Sequence, residues 1–103
     1  MIRYPEDCNS MTEVRAGVDE VDERLVALLA HRFGYMVAAA RIKDDRELVR
    51  DEARKAQVIA NVRQHARQAG VPELLVAEVW DMLVESSISY EMKLFDRKAK
   101  ASA

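Results

Sequence analysis

Apolar residues recur in a strict seven-residue repeat along residues 11–43, and this stretch organises the chain. The a and d positions of the repeat are held by Met11, Val14, Val18, Val21, Leu25, Leu28, Tyr35, Ala39 and Ile42. Ser10 and Glu13 have the spacing of a capping box, which starts a helix. No proline follows before Lys43. The pattern therefore predicts one long helix over about residues 10–43.

One core position of this helix carries a charge, because Arg32 stands at an a position of the repeat. A helix of about 33 residues is roughly 50 Å long, whereas a compact chain of 103 residues has a radius of gyration of about 13 Å. The apolar stripe therefore needs a cover from outside a simple monomer. We predict that two chains pair their first helices across a twofold axis, which makes the homodimer part of the fold.

Two further helical patterns follow the long helix. Residues 44–50 are polar and predict a loop, after which Asp51 is a suitable N-cap for a second helix over about 51–69. Gly70 suits the left-handed position that ends this helix.

Pro72 then suits the first turn of a third helix over about residues 72–98, whose tail we expect to fray. Residues 1–9 read as an extended arm, and no strand pattern occurs. The sequence predicts a single all-α domain over residues 1–103. Each protomer has three helices, a long one first, and two protomers intertwine into a helical homodimer.

Composition narrows the classes of partner and location. Sixteen basic and eighteen acidic residues give a net charge of −2, which does not favour nucleic acid or an anionic membrane. No apolar run approaches the roughly 20 residues of a membrane span, and the start has no apolar signal segment. Cys8, His31 and His65 lack metal-ligand spacing. We expect a cytoplasmic protein with no metal, no cofactor, and no nucleic-acid or membrane partner.

Cationic residues at selected positions indicate a site for a small dianion. Lys43 follows Arg32 by eleven residues, so both point to nearly the same side of the helix, about 16 Å apart. Arg15 is roughly 25 Å from Arg32 along the helix and turned by about 100°. It cannot serve the same ligand from the same chain, but in a twofold dimer it would complete the partner's site. Arg54, early in the second helix, is a fourth candidate for this electropositive pocket.

The third helix adds Ser87 and Glu91, which are one helical turn apart and share a face. A structural interpretation stays open beside the functional one. Arg32 can extend its guanidinium out of the interface between the paired first helices, or it can pair with Glu91, as register-setting polar residues do in coiled coils. Arg15, Lys43 and Arg54 also fit solvated surface charges. In that case the chain is a non-catalytic helical dimerisation module.

The pocket predicted by these residues favours chemistry that needs only shape and positive charge. The sequence pairs no nucleophile with an adjacent base, and it has no metal cluster and no glycine-rich phosphate loop. A unimolecular pericyclic rearrangement needs none of these groups. It requires a flexible dianion held in its compact conformer, and donors aimed at the oxygen where negative charge grows.

Three segments resemble the all-helical chorismate mutase family, and the resemblance runs from Glu13 to Phe95. The segments are VRAGVDEVDERLVALLAHR from Val14, RIK at 41–43 and VRDEAR at 49–54. The family has an opening I/V-R-x-x-I/V-D-x-I/V-D, a second Arg after the L-L-A run, a Lys ending the helix, and D-x-x-R at the start of helix two. The PEDC arm at 5–8 is similar to the related isochorismate-pyruvate lyases, which make salicylate and pyruvate on the same fold.

The resemblance implies a role for each residue of the site. Arg15 of one chain and Arg32 of the other would hold the two carboxylates of the substrate. Lys43 would donate to the ether oxygen and to a carboxylate, and Glu91 would give the ether oxygen a second hydrogen bond. The remaining substrate-binding positions are Asp51, Arg54 and Ser87.

Two positions depart from the family pattern. Lys55 stands where many mutases have a Glu that binds the ring hydroxyl, which puts the substrate preference in doubt. Glu91 stands where Gln is common, and a carboxyl group must be protonated before it can donate; some mutases have Glu there. The resemblance implies a chorismate mutase that forms prephenate in aromatic amino acid biosynthesis. The alternative is an isochorismate-pyruvate lyase of a siderophore pathway.

Overall fold

Three α-helices make up most of the structure, a computed structural model that describes residues 2–102. They are α1 (Met11–Ile42), α2 (Glu52–Ala69) and α3 (Glu73–Ser102), joined by short segments that include 3-10 turns at Pro5–Asp7 and Arg46–Leu48. No strand occurs within the described range. The predicted all-helical class with three helices is confirmed.

The start of α1 is set by the predicted capping box, with one difference. Ser10 Oγ accepts a hydrogen bond from the Glu13 amide at 3.2 Å. The Glu13 carboxylate returns to the amide of Asn9, at 2.9 Å, one residue before the N-cap. The arm before it is not fully extended, because the 3-10 turn begins at Pro5, whose fixed φ favours turns. Arg3 of the arm forms an ion pair with Glu13.

The chain forms two compact units, one up to Tyr35 and one from Met36 onward. In the first unit, the apolar stripe of α1 is open to solvent. Val18, Val21 and Leu25 are each 51% exposed. Half-exposed valines and leucines in a regular row are what a helix shows when nothing within its own unit covers it.

The length and composition of α1 also match a membrane-spanning helix. An 18-residue window within it averages a hydropathy of 1.3 with no more than two charged residues. The window that meets these limits is 25–42, which contains Arg32 and Arg41. The sequence thus has no uninterrupted apolar run of this length, but it does have an interrupted one.

The second unit is built on the packing of α2 against α3. Its buried apolar residues include Val49, Ala66, Val84 and Phe95. Val49 corrects the prediction of a polar loop over residues 44–50. The 3-10 turn before it, capped by Asp45 Oδ1 on the Glu47 amide at 2.9 Å, packs on α3, and Val49 enters the core.

The ends of α2 follow the local sequence. Asp51 Oδ1 caps the amide of Arg54 at 3.0 Å, and Gly70 ends the helix with φ of 73°. The amide of Val71 then bonds the Ala66 carbonyl at 2.9 Å, which completes a left-handed C-cap. The predicted end of α3 near Lys98 is wrong, since the helix continues to Ser102.

Candidate active site

A lysine just after α1 and a glutamate of α3 meet in the second unit. Lys43 directly follows the last residue of α1, and Glu91 lies in the middle of α3. Lys43 Nζ is 2.7 Å from Glu91 Oε2. The Glu91 side chain is 6% exposed, whereas the Lys43 side chain is 27% exposed. The pair therefore places a buried carboxylate against a lysine side chain that is partly open to solvent.

Ser87 is buried one turn before Glu91 on the same face of α3. Its Oγ donates to the Leu83 carbonyl at 2.7 Å, a bond that serines commonly make within helices. The structure thus brings two of the predicted site residues, Lys43 and Glu91, into contact and places a third, Ser87, one turn away on the same face of α3.

The other two predicted residues of this unit lie at the start of α2. Asp51 uses a carboxylate oxygen to cap α2, and the Arg54 guanidinium donates to Gln57 Oε1 of its own helix at 2.7 Å. Both residues are exposed. These hydrogen bonds are local to α2 and do not involve the Lys43–Glu91 pair.

Arg15 and Arg32 both lie on α1 within the first unit. Arg15 is exposed and Arg32 is half-buried. Their separation along this helix is roughly 25 Å, so a small ligand cannot contact both from one chain. This is the spacing on which the prediction of a shared site in a dimer depends, and the dimer stays a prediction.

Lys55, the position that departs from the family pattern, belongs to an ion cluster between α2 and α3. Its Nζ lies 3.0 Å from Asp81 Oδ1 and 2.9 Å from Glu85 Oε2. Arg50 donates to both oxygens of Glu85, at 2.7 and 3.1 Å. Hydrogen bonds from Arg50 and, to a smaller extent, from Lys55 lower the pKa of Glu85 from 4.5 to about 2. Hydrogen bonds to Glu85 and, to a smaller extent, to Asp81 raise the pKa of Lys55.

Lys98 is the residue of this unit that the sequence did not reveal. Its Nζ donates to backbone carbonyls at the end of α1, those of Ala40 at 2.8 Å and Lys43 at 2.6 Å. A helix that ends without glycine leaves carbonyls that need a donor. The absence of glycine from residues 43–45 indicates that such a donor is needed. It does not indicate which residue supplies it.

Comparison with known proteins places these residues in a family. The chorismate mutase type II family matches residues 14–92, a range that contains every predicted site residue. The isochorismate pyruvate lyase of Pseudomonas aeruginosa is 24% identical over 102 residues, covering 99% of this chain and 100% of that protein. The match to the family extends over most of the chain, and the similarity to the lyase runs end to end. The chain belongs to the chorismate mutase type II family.

Proposed function

We propose that this protein is a chorismate mutase, which rearranges chorismate to prephenate. The observation that carries the proposal is the contact of 2.7 Å between Lys43 Nζ and Glu91 Oε2 on a buried face beside Ser87. These two side chains hold the positions that the family resemblance assigns to the donors on the ether oxygen. Their contact means that both reach the same small volume, as two donors to one oxygen must.

The proposed reaction breaks one carbon–oxygen bond and forms one carbon–carbon bond within a single molecule. No proton or electron is gained or lost, so no nucleophile or general base is required. The protein contributes by holding the dianion in its compact conformer and by stabilising the negative charge that grows on the ether oxygen. Lys43 exchanges its bond to Glu91 for bonds to the substrate, and Glu91 in its protonated form adds a second donor.

An isochorismate-pyruvate lyase is the second candidate, and a specific observation favours it. The similarity to the Pseudomonas aeruginosa lyase extends over 99% of the chain, including the arm at 5–8 outside the family match. The lyase reaction also breaks a carbon–oxygen bond in a small dianion, and the same cations would serve it. The difference between the two reactions lies in the substrate and in the product formed.

Product identity separates the two candidates. Purified protein is incubated with chorismate and, in a parallel reaction, with isochorismate, and the initial rates of prephenate and salicylate formation are measured. We expect prephenate to form faster. Faster release of salicylate and pyruvate would make the lyase the principal activity, and the absence of both products would contradict both candidates.

We further propose that the catalytic unit is a homodimer in which Arg15 of one protomer completes the site of the other. The exposed stripe of α1 and the spacing between Arg15 and Arg32 support this arrangement. An alternative use of α1 as a membrane span is disfavoured, because a central arginine costs about 2.5–3.5 kcal/mol there. We accordingly expect a cytoplasmic protein.

Mixing two inactive variants tests the shared site. Arg15→Ala and Lys43→Met chains are unfolded together, refolded at equal concentration and assayed for prephenate. In a mixed dimer, intact Lys43 of one chain meets intact Arg15 of the other, so one site of two is complete. With random pairing, activity should return to about one quarter of wild type. If activity stays at the level of the separate variants, Arg15 does not act across the dimer.

A non-catalytic dimerisation module makes the opposite prediction for Arg32. If Arg32 were only a charged residue in an apolar helix–helix interface, Arg32→Leu would leave the dimer as stable or more stable, and wild type itself would form no prephenate. We expect the variant to remain dimeric and to lose turnover. Size-exclusion chromatography with light scattering, together with the prephenate assay, distinguishes the two.

A further inference from the structure

The C-terminal end of α1 is held by a lysine of α3. Lys98 Nζ donates to the carbonyl of Lys43 at 2.6 Å, to that of Ala40 at 2.8 Å and more weakly to that of Arg41 at 3.4 Å. The same ammonium lies 4.6 Å from the centre of the Phe95 ring, a buried residue. Lys98 is thus fixed by carbonyls on one side and by an aromatic face on the other.

The need for this contact is visible when α1 is compared with α2. At the end of α2, Gly70 adopts φ of 73° and the following amides return to the last carbonyls. Among residues 2–102, Gly70 is the only one with positive φ, so α1 has no such cap. Its last carbonyls need donors from elsewhere in the chain, and Lys98 supplies them.

The contact ties the main chain of Lys43 to the helix that also binds its side chain. The Lys43 carbonyl is bonded to Lys98, and its Nζ is bonded to Glu91. Glu91 and Lys98 are separated by two turns, about 10.5 Å along α3, and project from nearly the same side. Both the backbone carbonyl and the ammonium group of Lys43 are therefore bonded to α3.

We propose that Lys98 is a positioning residue, which fixes Lys43 for its bond to the ether oxygen. This inference rests on the proposed function. When a substrate takes the Lys43 ammonium away from Glu91, the side-chain anchor is lost and the bond from Lys98 to the Lys43 carbonyl remains. The alignment of Lys43 in the transition state then depends on Lys98, and a shift of about 1 Å in such a group can lower turnover by about 10²-fold.

Replacement of Lys98 tests the proposal in the full-length protein. Lys98→Met should lower kcat for prephenate formation by roughly ten- to a hundredfold and change KM by less than about threefold, since Lys43 acts on charge that appears in the transition state. Lys98→Arg, which keeps cationic donors, should recover most of kcat. Lys100→Met is the matched control, because Lys100 is exposed and lies about 200° around the helix from Lys98.

Hydrogen exchange measures the contact independently of turnover. Amides in the last turn of α1 should exchange faster in Lys98→Met than in wild type or Lys100→Met, because the capping donor is gone. If Lys98→Met does not fold, Lys98→Gln, which keeps an NH₂ donor, is used with the same expected directions.

Each outcome decides a separate point. An unchanged kcat, a loss confined to KM, or no recovery in Lys98→Arg would overturn the positioning role while leaving the proposed function intact. Absence of prephenate and salicylate from wild type would instead overturn the proposed function. In that case the exchange rates still show whether Lys98 caps α1.

Discussion

Two glutamates of α3, Glu91 and Glu85, show how the same kind of charge can serve different purposes. Glu91 is almost fully buried, and its one ion-pair partner among residues 2–102 is the ammonium of Lys43. Glu85, six residues earlier, is 40% exposed and is held by both nitrogens of the Arg50 fork and by Lys55. Within the described residues, Glu85 has two cationic partners, Arg50 and Lys55. Glu91 has one, Lys43, whose side chain is itself partly open to solvent.

The difference indicates which cation is available to a ligand. Arg50 is bound by Glu52 and Glu85, and Lys55 by Asp81 and Glu85. A dianion would therefore have to compete with two acidic groups for either cation. Among residues 2–102, Lys43 has one carboxylate partner, Glu91, so a substrate has a single acidic group to displace. We therefore interpret the Glu85 cluster as structural, and the Lys43–Glu91 pair as the part of the candidate site that exchanges partners.

Removing one cation from the Lys43–Glu91 pair and one from the Glu85 cluster should separate the two roles most strongly. Lys43→Met should lower turnover of chorismate by roughly 10²–10³-fold, the usual loss for a donor to a developing oxyanion. It should also lower the free energy of unfolding by about 1–3 kcal/mol, because a buried carboxylate loses its partner. Arg50→Met is the control, and its turnover should stay within about twofold of wild type. Equal losses in the two variants would remove the distinction.

Replacing each glutamate by glutamine sharpens the comparison through turnover. Glutamine at position 91 still accepts from Lys43 and donates without protonation, so Glu91→Gln should keep at least the turnover of wild type at neutral pH. Glu91→Leu, which has no donor, should lose roughly 10²-fold or more. Glu85→Gln should stay within about twofold of wild type. If Glu91→Leu also stays within twofold, Glu91 does not donate to the ether oxygen.

Acid unfolding should report on the structural cluster. The pKa of Glu85 is lowered from 4.5 to about 2 by Arg50 and Lys55, so the ionised form is favoured by folding. Its contribution to stability is fully present above pH 4.5 and is lost as the pH falls through about 2. Urea unfolding of wild type and Glu85→Gln should therefore differ near neutral pH and converge toward pH 2. A difference independent of pH would show that the carboxylate charge is not what stabilises the cluster.

The smallest effect is expected at the position that departs from the family pattern. Since the Lys55 ammonium is bound by Asp81 and Glu85, we expect it to contribute little to substrate choice. In Lys55→Met the ratio of prephenate to salicylate formation should change by less than about twofold, as for most substitutions outside a site. A much larger change in the ratio would move Lys55 from the structural cluster into the substrate site.

Features fixed by neighbouring residues were predictable from the sequence. The caps at Ser10, Asp51 and Gly70 bond partners within five residues along the chain, so a short motif contains both partners. The long apolar repeat correctly indicated the long first helix, and the apolar patterns after residue 50 indicated the other two. The same repeat predicted a stripe that needs a cover from another chain, and this stripe is exposed in the first unit.

Contacts between distant residues were not predictable in the same way. Lys98 caps carbonyls that lie 55 to 58 residues earlier, and Lys43 is 48 residues from Glu91. Residue types alone left Glu91 as a possible partner of Arg32, and only the family resemblance placed it beside Lys43. The burial of Val49 likewise depends on α3, which a reading of residues 44–50 as polar could not include.

A complex with a stable dicarboxylate analogue of the compact conformer tests the central claim most directly. In its crystal structure, we predict that Lys43 Nζ lies about 3 Å from the ether oxygen of the ligand, with the bond to Glu91 exchanged. Glu85 should remain bound by Arg50 and Lys55. A ligand bound elsewhere, with the Lys43–Glu91 contact still at 2.7 Å, would contradict the claim that this pair is the exchangeable part of the active site.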